Sequence, residues 1–97
     1  MATKTLLKMR RRLGKAVRWA RLDHRELAAL AGVSHGAPGQ ILRGDVEGPR
    51  VTTLEPLATV LGLSLDWLIR GEGDPPTPEE VRAAVEVARQ RVTGKAA

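Results

Sequence analysis

Cysteine is absent from the chain, so neither a disulfide framework nor a thiolate zinc site can form. Phenylalanine and tyrosine are absent too, and Trp19 and Trp67 are the whole aromatic content. A core must therefore be built from Leu, Val, Ile and Ala, a palette that suits short, closely packed helices better than a β-sandwich. No apolar run approaches the ~18 residues that a membrane span requires. The first residues also lack the unbroken apolar stretch of a secretory signal. The expectation is a soluble, cytoplasmic chain, and the missing cysteine fits a reducing compartment. Two histidines with no paired carboxylates nearby supply neither a nucleophile–base pair nor a metal cluster. No enzyme, metal or cofactor is expected.

Acid is missing where base is concentrated. Residues 1–22 carry Lys4, Lys8, Arg10, Arg11, Arg12, Lys15, Arg18 and Arg21 and not one carboxylate. The other eight cations share the rest of the chain with all eleven acids, so the +5 of the whole is a basic segment on a slightly acidic body. Such a distribution suits a polyanion partner, or simply a well-solvated helix face. What remains is apolar enough, at 42 %, for one compact domain rather than a disordered tail.

Six helices are legible. Leu6, Met9, Leu13, Ala16, Val17 and Ala20 fall three and four apart and form one stripe from Thr5 to about Ala20, with Gly14 a weak point inside it. Asp23-His24-Arg25-Glu26 reads as a reciprocal capping box that opens a two-turn helix, and Gly32 closes it. Ser34 is a candidate cap for a third helix ending at Gly44. Pro38, four residues on, lies at the edge of what a first turn tolerates, so this helix either starts later or is distorted. Thr52 to Glu55 offers another capping box, with Pro56 near the first turn and Gly62 at the end. Ser64 caps a fifth helix that stops at Gly71. Residues 72–77 read as a linker. Thr77-Pro78-Glu79-Glu80 then starts a last helix over 78–93, whose thin stripe of Val81, Ala84, Val85, Ala88 and Val92 needs a partner surface.

Residues 25–44, RELAALAGVSHGAPGQILRG, carry the functional signal: a short helix, a glycine turn and a second short helix make a helix-turn-helix. Ala28 is small where the two helices would cross, and Val33 with Ile41 fills the wedge between them. This would present the second helix to a groove ~12 Å wide. The run from about Met9 to Gly71 resembles the lambdoid phage repressor and Cro (Xre) family. The carrying residues are Leu22-Asp23, Glu26-Leu27-Ala28, Leu30-Ala31-Gly32-Val33-Ser34, Ile41, Arg43-Gly44, Pro49, Leu57-Ala58, the run from Leu61 to Asp66, and Leu68. The resemblance implies an all-α, five-helix lambda-repressor-like domain over 1–71, here with one added C-terminal helix, that binds double-stranded operator DNA as a homodimer. Two positions depart from the family pattern: His24 stands where glutamine is usual, and Pro38 where an aliphatic residue is usual.

By position in the motif, His35, Gly36, Gly39 and Gln40 are expected to face base edges. Gln40 can pair bidentately with adenine, and His35 can donate to guanine or lie free in solvent. His24, Arg25, Ser34 and Arg43 are expected at phosphates, with Lys15 and Arg50 as further candidates. Arg10, Arg11 and Arg12 serve either as a groove-tracking arm or as helix-surface charge. Trp67 is either core or dimer contact, and the last helix is the other candidate interface. The function expected is a sequence-specific transcriptional regulator, a repressor; the competing reading is an antitoxin-like module that binds a partner protein (a toxin) and its own operator.

Overall fold

The computed structural model describes residues 4–46 and 48–96, the last four by backbone alone. The described residues are all-helical, with six helices and no strand: α1 (Lys4–Ala20), α2 (His24–Ala31), α3 (Ala37–Arg43), α4 (Val51–Leu61), α5 (Leu65–Arg70) and α6 (Pro78–Ala96).

The helix ends follow local chemistry. Asp23 Oδ1 accepts from the Glu26 amide at 2.7 Å, and Ser64 Oγ accepts from the Trp67 amide at 3.0 Å. Thr77 and Glu80 form the complete reciprocal box: Oγ1 takes the Glu80 amide and Oε1 takes the Thr77 amide, both at 3.1 Å. The helices α2, α3, α4 and α5 each end on a left-handed glycine. By contrast α1 ends on Arg21, at φ 56, where a side chain must tolerate that conformation.

Three local expectations are corrected. Ser34 does not cap α3. It sits in a turn in which its carbonyl accepts the Ala37 amide, and the helix starts at Ala37 with Pro38 inside the first turn. The late start is what the proline requires, since a first-turn amide has no intrahelical partner to lose. Thr52 does not cap α4 either: the helix begins at Val51 on an extended Arg50, with no side-chain cap, and Pro56 falls in its interior. Thirdly, Glu26 does not reach back to Asp23. Its carboxylate accepts two hydrogen bonds from Arg89 of α6.

One core serves all six helices. Leu13, Leu27, Leu57, Leu61, Leu68 and Val81 are fully buried, and Val85 is nearly so. The partner surface that α6 needs is thus the chain's own body: it lies against α1, α2 and α4. Its approach to α4 is close, because a Cβ added at Gly62 would stand 2.7 Å from that of Ala84. Arg82 Nε further donates to the Trp19 carbonyl at the end of α1 (3.1 Å). Trp67 belongs to the core cluster rather than to the surface.

Candidate nucleic-acid interface

The segment from Ser34 to Arg43 is two-sided. Ala37, Pro38 and Ile41 are buried against the body, while Ser34, His35, Gly36, Gln40 and Arg43 are exposed. Ile41 joins the core, Val33 is half-buried against the same core cluster, and Ala28 is buried on α2. Gln40 is the polar side chain on the outer face of α3, and its amide folds back over Gly36.

Gly39 is a correction to the expected base-facing set. It is buried, with a Cβ position 3.0 Å from Arg43 Nη1 and 3.3 Å from His24 Nδ1. Those two side chains close over it, so Gly39 allows them to converge rather than meeting a base itself. Arg43 is also engaged, its Nε 3.1 Å from Asp45 Oδ2 in an exposed pair.

Around this helix the structure gathers two hollows. The first, of about 300 Å³, lies between α1, α2 and α3 and is lined by Arg10, Arg11, Arg18 and His24 over Leu42. Gly14 opens it: a Cβ there would already touch Arg18 Nη1 (3.5 Å) and Leu42 Cδ2 (3.6 Å). The second, of about 330 Å³, brings Ser34, Gln40 and Arg50 together with Pro49 and Thr53. Of the expected phosphate set, His24, Ser34, Arg43 and Arg50 therefore border α3. Arg25 is exposed at the start of α2 without lining either hollow. Lys15 does not join them: its Nζ lies over the Trp19 ring, 5.0 Å from the centroid.

The basic run of α1 divides between roles. Arg12 turns inward and donates to the carbonyls of Leu68 (3.2 Å) and Ile69 (3.4 Å), neutralising the negative end of α5. Arg10 covers Gly44 at the end of α3, where any Cβ would collide with its guanidinium. Arg11 and Arg18 complete the α1 wall of the first hollow. Arg18 is the residue that sequence reasoning missed. Its signal was spacing, since Arg11, Gly14 and Arg18 recur at three and four along one helical face.

The chemistry of this surface is that of charge and hydrogen bonding. Among the described residues there is no group of three His, Cys, Asp or Glu side chains able to hold a metal ion. Among the described residues no helix is long and apolar enough to cross a membrane. No protein-family model, curated protein or solved structure matches the chain.

Proposed function

We propose that this protein is a sequence-specific DNA-binding regulator of transcription that lays α3 in the major groove and acts as a dimer, with α2 and α3 as its helix-turn-helix. The observation that carries this reading is the pairing of an exposed polar edge with cations on both sides. His35, Gly36 and Gln40 form the edge, with the arginines Arg10, Arg11 and Arg18 beside His24 on one flank and Arg50 on the other. In such an arrangement the flanking cations hold phosphates and fix the register, while Gln40 and His35 read bases. Gly36 carries no side chain, which lets the backbone approach a base pair closely.

About four phosphate contacts per copy, eight for the dimer, give a slope of log affinity against log salt near −7. Selection from random duplex DNA at two salt concentrations tests the reading. The expected outcome is an enriched inverted repeat whose half-sites lie about 34 Å apart, one helical turn. Recovery of no preferred sequence, with binding indifferent to salt, would exclude it. A second reading, a protein-interaction module such as an antitoxin, is favoured by an apolar groove between α2, α4 and α6. A monomer with feeble, salt-insensitive DNA binding would point to protein interaction alone, whereas an antitoxin that also binds its own operator would keep the salt dependence.

A further inference from the structure

The apolar stripe of α6 outruns the body that covers it. Val81 and Val85 are buried, Ala88 is half-buried, and Val92 is 51 % exposed, with Val87 beside it at 50 %. These two valines stand on one wall of a groove of about 450 Å³, whose other lining includes Leu30 of α2 and Pro56 and Val60 of α4. Two charges flank it, Glu55 on the α4 side and Arg91 on the α6 side. Both are exposed, and neither makes an ion pair among the described residues.

We propose that this groove is the contact between two copies of the chain related by a two-fold axis. In a two-fold contact a patch meets itself turned around, so it must hold the complement of its own relief and its own charge. This patch does both. The Val87 and Val92 side chains of one copy fit the hollow beside Pro56 and Val60 of the other. Arg91 of each copy then meets Glu55 of its mate, giving two symmetric ion pairs around an apolar centre. A rim of one sign would instead select a partner of the opposite sign. The groove shares no lining residue with the two hollows around α3, so a dimer built here leaves both reading edges uncovered.

The inference rests on the dimeric reading above, and its test is run without DNA so that the two can fail separately. Sedimentation equilibrium of the whole chain is measured from low micromolar to near-millimolar concentration, with helical content followed by circular dichroism. A dimer is expected. Glu55→Arg and Arg91→Glu should each raise its Kd about tenfold or more, because each reversal sets like charges together twice. The double exchange should return to within about threefold of the parent, since opposite charges face each other again. Val92→Glu, on an exposed position, should also produce monomers with unchanged helicity. A parent chain that stays monomeric throughout, or a dimer indifferent to both single reversals, overturns the proposal. Binding of the same samples to a half-site duplex reports separately on the DNA reading.

Discussion

Arg89 and Glu26, 63 residues apart, are joined by a two-pronged contact, Nε to Oε2 at 3.0 Å and Nη2 to Oε1 at 3.1 Å. The pair fastens α6 to the first turn of α2. The hydrogen bond from Arg89 to Glu26 and the Glu26 charge also raise the Arg89 pKa. Glu26→Arg should lower the melting temperature through like-charge repulsion, and Glu26→Arg with Arg89→Glu should restore it in part, because the exchange also sets a glutamate beside Glu86, with which Arg89 pairs at 3.7 Å. Thermal unfolding of the two variants decides. Failure of the exchange to restore stability would mean that the contact is incidental.

Base reading and phosphate holding should separate by variant. Gln40→Ala is expected to reduce discrimination between selected and random DNA by about 1–3 kcal/mol. Arg18→Ala should weaken all sequences alike and reduce the salt slope of the dimer by about 2, one contact from each copy. Competition binding at several salt concentrations measures both. Equal losses on every sequence from both variants would refute this division of roles.

Asp45 holds the Arg43 guanidinium in an exposed pair at the end of α3. Releasing it makes another cation available to phosphate. Asp45→Ala should therefore tighten binding to random DNA and steepen its salt dependence, as read in the same titration.

Two glycines with nearly equal φ allow conformation to be separated from crowding. Gly32, at φ 71, has nothing within 4 Å of a built Cβ, whereas Gly62, at φ 69, would press against Ala84. Gly32→Ala should cost about 1–2 kcal/mol, the left-handed penalty alone. Gly62→Ala should cost about 2–4 kcal/mol, because overpacking adds to that penalty. Urea unfolding of both supplies the comparison. Conversely, Arg21→Gly should stabilise the chain by about 0.5–1 kcal/mol by relieving the one left-handed non-glycine among the described residues.

How far the sequence disclosed this structure depends on the range of the interaction involved. Caps at Asp23, Ser64 and Thr77 and the closing glycines are decided within four or five residues, and each was legible. The start of α3 was legible only as a conflict between a cap at Ser34 and the proline at Pro38, which the structure resolves in favour of the proline. Pro56 gave no warning that it would lie inside α4, since the competing start at Thr52 had the better local signal. The partner of Glu26, the inward turn of Arg12 and the cover over Gly39 come from residues on other elements. No window of the sequence contains them. Gln40 and His35 lie exposed, as an outward-facing role requires, whereas Gly39 is buried beneath Arg43 and His24.

The lateness of α6 in the chain has a consequence for biosynthesis. Until residues 81–89 have been made, the flank of the core that Val81 and Val85 cover is open, and neither Trp19 nor Glu26 has its arginine. A nascent chain that has completed α1 to α5 thus presents a greasy, unbuttressed side, the kind of surface that chaperones bind and that associates at high concentration. Cooperative closure awaits the emergence of the sixth helix.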